Sequence, residues 1–406
     1  MFYGSFRGMK KNKLKIMILH NTITPYRLPI FEELSKKYDL DVCFCKAKTN
    51  DRLWSTSLEN YTFKYKTLPS LNIGPLVFNF SLLKELFKNK SDCFIIAENP
   101  ENAISILAVF VVAKINKSKI ILWSERIGDE AYTLIQLKTS GNFLKNKLYN
   151  LIKVGYKIYR KYLYFKSDLL VPFSSAAENY LRKEGVLKEK IKRSLQIMPE
   201  SILVKPTTIS KLPEFKNKKI ILSLGYLIKG KGVDNLIKAF NQLNSSDTVL
   251  LIAGAGDQEE NLKNLAKKNV DIKFIGYVEG KEKAKYFSMA DFFVFPTHND
   301  AWGLVINEAL YYGLPVISTD KAGAIELIEN GKNGFIIPDN DIDALVKSMK
   351  KLLDDPKLFA KMKENVIRTP KSRIVDVNTV VRTFDEAINM ILNHQELNIN
   401  KKNSPN

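Results

Sequence analysis

The feature that most constrains this chain is a series of short, almost wholly apolar runs separated by helical patterns. Lys15–His20 (KIMILH), Leu40–Phe44, Asp92–Ala97, Lys119–Trp123 and Asp168–Pro172 read as strands in the first half. Ile220–Leu224, Val249–Ala253, Ile272–Ile275, Phe292–Phe295 and Pro315–Ser318 read as strands in the second. A strand with apolar residues on both faces has to be covered on both faces, which is the condition of a parallel sheet sandwiched by helices. Helical patterns fall in the gaps, at Leu28–Tyr38, Asn102–Ile115, Phe143–Phe165 and Val233–Leu243. The alternation predicts the α/β class, with two doubly wound, Rossmann-like domains facing a central cleft.

The Pro- and Lys-rich stretch from Lys205 to Lys219 divides the two series. The expected organisation is an N-terminal domain over 1–200, a C-terminal domain over 201–376, a closing helix over 377–395 that crosses back to the N-terminal domain, and a disordered tail over 396–406. A chain of 406 residues is long enough for two cores.

Charge is uneven. Of 63 Lys+Arg and 43 Asp+Glu, residues 1–200 hold 34 and 18, a net of +16, and the remainder is near neutral at +4. The apolar run Ile16–Leu19 is too short for a signal-peptide core, and Ala103–Ala113 covers about half of the ~20 residues that span a bilayer. Cys43, Cys45 and Cys93 form neither a disulfide framework nor a paired CxxC motif. The expected setting is cytoplasmic, without a membrane span.

In open α/β sheets ligands gather beyond the carboxyl ends of the strands, so the loops there carry the chemistry. The loop Gly225-Tyr226-Leu227-Ile228-Lys229-Gly230-Lys231-Gly232 joins a strand to a helix. Glycines, free helix N–H groups and Lys231 are the parts of a diphosphate site. Taken alone, the same residues also make a Gly-rich turn with surface lysines. A second loop runs Phe295-Pro-Thr-His298-Asn-Asp300-Ala-Trp302-Gly303-Leu304 and opens a helix that contains Glu308. Its two carboxylates can bracket a polar ligand, and in isolation Asp300 also reads as a helix cap and Glu308 as a surface residue.

The ordering of these motifs settles the choice. The second half resembles the retaining family 4 glycosyltransferases of the GT-B fold, whose loop G-R-L-x-x-x-K-G is matched by Gly225 to Gly232. Their E-x7-E signature is matched by Asp300 to Glu308 around Trp302-Gly303-Leu304. Ile252-Ala-Gly-Ala-Gly256, Phe274-Ile-Gly-Tyr-Val278 and Ala290-Asp291 follow in the family's order. The resemblance implies transfer of a hexose-type sugar from a UDP- or GDP-linked donor to a hydroxyl acceptor with retained configuration. It points to surface polysaccharide, lipopolysaccharide or glycolipid synthesis, with no metal and no other cofactor. Donor residues would be Gly225, Tyr226, Lys231, Gly232, Val278, His298, Asp300, Trp302, Gly303, Leu304 and Glu308. Of these, Lys231 would meet the diphosphate, Glu308 the ribose hydroxyls and Asp300 the sugar. Two departures stand out: Tyr226 replaces the family's arginine, and Asp300 replaces its first glutamate. A sugar-nucleotide epimerase of the same fold is the alternative enzyme.

On the N-terminal side, Thr24, Tyr26 and Arg27 in the first β–α loop and Arg126 are the acceptor-side candidates. Glu125 is the candidate polar group at the reaction centre, beside Asp300 and Lys231, and equally a partner for a neighbouring cation. Asp339-Asn340-Asp341 resembles a metal-binding DxD but precedes a helix over Ala344–Leu353, and capping explains it better. From Leu137 to Ser167 there are eight Lys/Arg and no acidic residue, interleaved with tyrosines. Two readings stand for that segment. One is an interfacial helix docking on an anionic membrane through Lys153, Lys157, Arg160 and Lys161, which suits a glycan or lipid-linked acceptor. The other is a core-packing helix with a solvated lysine face. Binding to nucleic acid would explain the charge but not the two loops, so no nucleic-acid partner is expected.

Overall fold

In the computed structural model, residues 13–47, 57–73, 76–88, 90–125, 143–206 and 211–402 are described, with the side chains of 143–149 and 393–402 left aside. The first series of elements is β1 (Lys15–Thr22), α1 (Leu28–Lys37), β2 (Asp39–Lys46), β3 (Lys64–Thr67), β4 (Leu71–Ile73), β5 (Leu76–Phe78), α2 (Leu82–Lys88), β6 (Cys93–Ala97), α3 (Ala103–Asn116), β7 (Lys119–Ser124), α4 (Phe143–Lys166) and β8 (Leu169–Pro172). After α5 (Ser175–Lys183) come β9 (Lys219–Leu224), α6 (Val233–Leu243), β10 (Thr248–Ala253), α7 (Glu259–Ala266), β11 (Ile272–Gly276), α8 (Gly280–Met289) and β12 (Phe292–Phe295). The chain ends with α9 (Leu304–Tyr311), β13 (Val316–Thr319), β14 (Gly334–Ile337), α10 (Ile342–Asp354), α11 (Pro356–Ile367), α12 (Lys371–Ile374) and α13 (Val377–Lys402).

The strands assemble into two sheets of the same design. One has the order β3-β2-β1-β6-β7-β8 and the other β11-β10-β9-β12-β13-β14, while β4 and β5 form a separate antiparallel pair. Every pairing registered within the two larger sheets is parallel. This is the doubly wound order, in which the chain runs outward from the middle of the sheet, returns and runs outward the other way. The expected α/β class with two such sheets is therefore found. Alternate residues explain why the strands are apolar throughout. In the second sheet Ile220, Leu222, Phe293 and Phe295 pack into one core layer, and Ile221, Phe292 and Val294 into the layer on the opposite face. Both faces are covered, so apolar residues dominate both register positions, and polar ones such as Ser223 and Ser318 are buried near strand ends.

The chain divides into two compact units, one ending its first passage at Val171 and resuming at Phe384, the other made chiefly of Pro172 to Thr383 with Glu125 grouped with it. The expected boundary at 200 lies about one helix too late. Residues 172–200 pack into the second unit, where Phe173 meets the ring of Trp302 at 5.8 Å and the Met198 N–H donates to the Ile374 carbonyl at 3.0 Å. Inside the first unit, Phe384 packs edge-on against Trp123 at 4.6 Å, and Tyr38 donates to Asp385 at 2.5 Å. The tail expected to be disordered from 396 is helical as far as Lys402, because the next helix breaker is Pro405. Among the described residues, no helix is long and apolar enough to cross a membrane.

Candidate functional site

In the second unit the strand order reverses between β9 and β12. The loops leaving those two strands are residues 225–232 and 296–303, the two motifs singled out by the sequence. Topology therefore places both at the switch point, the position where open α/β sheets bind ligands.

The two loops touch, and glycine permits it. Gly232 has φ +63°, and a Cβ there would lie 2.0 Å from the Pro296 carbonyl oxygen. Across the contact, the Thr297 hydroxyl and the His298 N–H both donate to the Gly230 carbonyl, at 3.0 and 2.9 Å. This close approach brings the Lys231 ammonium to 2.5 Å from the Asp300 carboxylate. Both side chains keep about a fifth of their surface exposed, 16% and 22%, so the pair is reachable from solvent. Gly225, Tyr226, Lys231 and Phe295 also line a small cavity beneath the loop.

Asp300 is fixed from its other side, where it accepts the Trp302 N–H at 3.0 Å. Trp302 is buried, with its indole N–H donating to Asn307 at 2.7 Å and its backbone carbonyl accepting the Ala324 N–H at 2.7 Å. Asn307 in turn donates to the carbonyls of Gln196 at 3.2 Å and Ile374 at 2.8 Å. Gly303 then turns the chain at φ +91° into α9, whose half-buried first residue is Leu304.

Glu308 on α9 is 2% exposed and forms an ion pair with Lys283 of α8. A buried carboxylate with one cation retains acceptor capacity for a ligand. Beside it lies Tyr277, whose phenol is pushed up to about 12 by desolvation and by its hydrogen bond to Glu279, with Tyr226 and Glu308 adding negative field. Val278 next to it is buried. His298 is held by Asp339, with Nδ1 at 2.6 Å from the carboxylate oxygen. The Asp339-Asn340-Asp341 segment is explained by caps: Asp341 accepts the Ala344 N–H at 2.8 Å and begins α10. Among the described residues, no group of three or more His, Cys, Asp or Glu side chains is placed to hold a metal ion. Sequence reasoning passed over Lys283 and Asn307, and named Asp339 only in the DxD-like segment without its bond to His298; the three lie 25, 5 and 41 residues from the side chains they hold. Only Asn307 had a local signal, its place inside the signature helix.

The first unit has its own switch point, between β1 and β6. The loop after β1 carries Thr24, Tyr26 and Arg27, but Arg27 is 1% exposed and its guanidinium stacks on the Trp123 ring, 3.9 Å from the centroid. Thr24 is buried as well, and Tyr26 is half-buried. Arg27 is thus a core residue, a role its flat and weakly hydrated cation allows, and the acceptor-side assignment is corrected there. After β6, Glu98 accepts from Ser124 Oγ at 2.6 Å and Tyr164 Oη at 3.0 Å, with Arg160 Nε at 3.6 Å. Sequence reasoning missed Glu98 altogether. The same cluster corrects Arg160, which is 3% exposed and bonded to Tyr164, so it cannot reach a membrane. Lys153, Lys157 and Lys161 are exposed. Glu125 directly follows β7 and is half-buried, and Arg126 lies outside the described residues.

Residues 204–369 match the family described as glycosyl transferases group 1. An uncharacterized glycosyltransferase of Haemophilus influenzae is 33% identical over 171 residues, 41% of this chain and 47% of that protein. A GDP-mannose-dependent monoacylated alpha-(1-6)-phosphatidylinositol monomannoside mannosyltransferase of Corynebacterium glutamicum is 32% identical over 176 residues, 41% of this chain and 45% of that one. The chain therefore spans about half the length of each of these two relatives. Over nearly the whole chain, the crystal structure of Anabaena Alr3699/HepE in complex with UDP superposes with a TM-score of 0.72 at 17% identity, covering 93% of this chain and 100% of that one. That likeness carries the fold. The segment 204–369, which holds both loops and Glu308, is the part of the chain that matches the glycosyl transferases group 1 family.

Proposed function

We propose that the protein is a retaining glycosyltransferase of family 4, transferring a hexose-type sugar from a UDP- or GDP-linked donor to a hydroxyl of a glycan or lipid-linked acceptor. The observation that supports this most directly is the Lys231–Asp300 pair at the switch point of the second sheet. On donor binding, Lys231 exchanges its carboxylate partner for the diphosphate, joined by N–H groups at the start of α9. Asp300, released from the lysine, accepts hydroxyls of the sugar. Glu308 takes the ribose diol, with Lys283 holding its second oxygen, and the Tyr277–Val278 segment lies by the base.

In this reading the leaving group is stabilised by charge already in place, because Lys231 neutralises the diphosphate as the anomeric bond breaks. The acceptor oxygen attacks from the face the diphosphate leaves and passes its proton to a departing phosphate oxygen, which retains configuration without a covalent glycosyl-enzyme. The donor is held without a metal. Tyr226, standing where relatives carry an arginine, leaves Lys231 the main cation of this loop. A surface polysaccharide, lipopolysaccharide or glycolipid acceptor fits the basic first half, and one relative is by its name a transferase acting on a phosphatidylinositol mannoside.

The test is donor binding followed by transfer. UDP- and GDP-sugars are screened for a shift in melting temperature, and the active donor is then supplied with radiolabel in its sugar. Lys231→Ala and Glu308→Ala should each lower kcat/KM at least a hundredfold, about 3 kcal/mol of lost stabilisation. Near-wild-type turnover in both variants, or epimerised free nucleotide sugar with no transfer, overturns the proposal.

A further inference from the structure

Helices α2, α3 and α4 lie on one face of the first sheet, since each crossover leading toward β6, β7 and β8 runs in the same direction. α2 packs on α3, and Phe110 of α3 meets Tyr162 of α4 with ring centroids 5.6 Å apart. The inner sides of these helices are buried in the ordinary way, through Leu82, Val109, Phe110 and Leu163 among others. Their outer sides are not polar.

On α3, Ile104, Leu107, Val111 and Ile115 are exposed by 39–62% and recur at the three- and four-residue spacing of one helical face. On α4, Leu151, Val154, Ile158, Tyr162 and Phe165 repeat the spacing with exposures of 41–69%. Leu83 and Phe87 continue the apolar surface onto α2 at 49% and 60%. Scattered surface apolar residues need no explanation, but three aligned stripes on adjacent helices do. The exposed charges on these helices are all basic, while Glu85 of α2 has a side chain only 13% exposed and is paired with Lys66. Exposed Lys84, Lys88, Lys114, Lys117, Lys153 and Lys157 accompany the stripes, and neither α3 nor α4 contains an acidic residue.

We propose that this three-helix face is a membrane-docking surface, lying on an anionic bilayer with its apolar stripes inserted among the acyl chains and its lysines at the headgroups. Charge complementarity selects a lipid surface over a second copy of the chain, because pairing two such faces would bring lysine rows of like sign together. The inference differs from the expectation drawn from α4 alone. Arg160 drops out, α3 adds four exposed apolar residues to the five of α4, and insertion contributes beside charge. It rests on exposure and charge and stands whether or not the acceptor is lipid-linked.

Flotation of the full-length protein with vesicles tests it. Wild type should float with phosphatidylglycerol-containing vesicles and much less with pure phosphatidylcholine. Lys153→Gln/Lys157→Gln/Lys161→Gln should weaken partitioning by about two orders of magnitude at low salt, at roughly fivefold per lysine. Val111→Ser/Val154→Ser/Ile158→Ser should weaken it at all salt concentrations. Both variants should keep the wild-type melting temperature and turn over a short soluble acceptor as wild type does, so loss of docking is separable from loss of transferase activity. Equal flotation of all three proteins overturns the proposal. So does a dimer in light scattering that the serine variant dissolves while wild type ignores the vesicles.

Discussion

His20 sits at the end of β1 with its ring edge-on to Phe31, Phe44 and Trp123, at centroid distances of 5.7 to 6.3 Å. Its Nδ1–H donates to the Thr22 carbonyl at 2.9 Å, which fixes the neutral tautomer. Burial, and then the Arg27 cation, push its pKa down from 6.5 to about 3. The unfolded chain therefore binds a proton below pH 6.5 that the folded chain refuses. Stability from this group is complete above that pH and falls by about 1.4 kcal/mol for each unit from there toward pH 3. Urea unfolding at pH 6.5 and pH 5 should show His20→Gln losing about 2 kcal/mol less than wild type over the interval. Identical pH dependence in the two proteins would show that His20 is not buried neutral. The residue was legible as the close of KIMILH, but its charge state was not. Arg27 and Trp123, which with burial decide it, reach it only through the fold. Lys231 was the opposite case, because its loop glycines and its strand both stand within a few residues of it.

Three aspartates show how one device recurs among the elements. Asp92, Asp168 and Asp291 each immediately precede or begin an apolar run, and each carboxylate accepts the first or second N–H of the neighbouring strand at 2.8 to 2.9 Å, from Lys15, Ile120 and Ile220 respectively. At the amino end of a parallel sheet those N–H groups have no strand partner left, so an acidic residue at this position completes the ladder. Asp291 also binds Lys211 at 2.7 Å. Asp291→Ala should cost about 2–3 kcal/mol, because a buried donor and a cation both lose their acceptor. Chemical denaturation of the variant beside Asp291→Asn, which keeps an acceptor oxygen, measures it, and a loss under 0.5 kcal/mol for both would show the carboxylate to be dispensable. The Ser-Asp or Ala-Asp pairs were visible before the apolar runs, and the central strands were placed from those runs. Of the four edge strands of the two larger sheets, β8 and β11 were placed and β3 and β14 were not. β3 has the exposed sequence KYKT at the sheet margin, where lysines guard an open edge. β14, at the margin of the other sheet, mixes half-buried with buried positions. Period and apolarity report burial, and these two edge strands have too little of it, whereas β8 is buried throughout.

At the scale of the whole molecule, the two sheets have the same strand order but different surroundings. Most of the +16 of the first 200 residues lies on the unit with the exposed apolar helices, and the donor motifs lie on the other. That division was legible because charge and motifs are local. The limits of the units were not, since residues 172–200 belong to the second through pairings such as Asn307 with Gln196. The end of the chain carries the same lesson. Phe384 and Ile388 are fully buried, and Asp385 joins Tyr38 and Lys37, so the first unit contains both the start of the chain and its last helix. The first unit therefore completes its core only when residues beyond 383 are present. Phe384→Ala removes a buried aromatic ring from the Trp123 contact and should cost about 3–5 kcal/mol, felt in the first unit. Limited proteolysis read by mass spectrometry should show faster cleavage at sites up to 171, with cleavage between 172 and 376 unchanged. Equal acceleration in both stretches would mean that the units unfold together and that their cores are not separately cooperative.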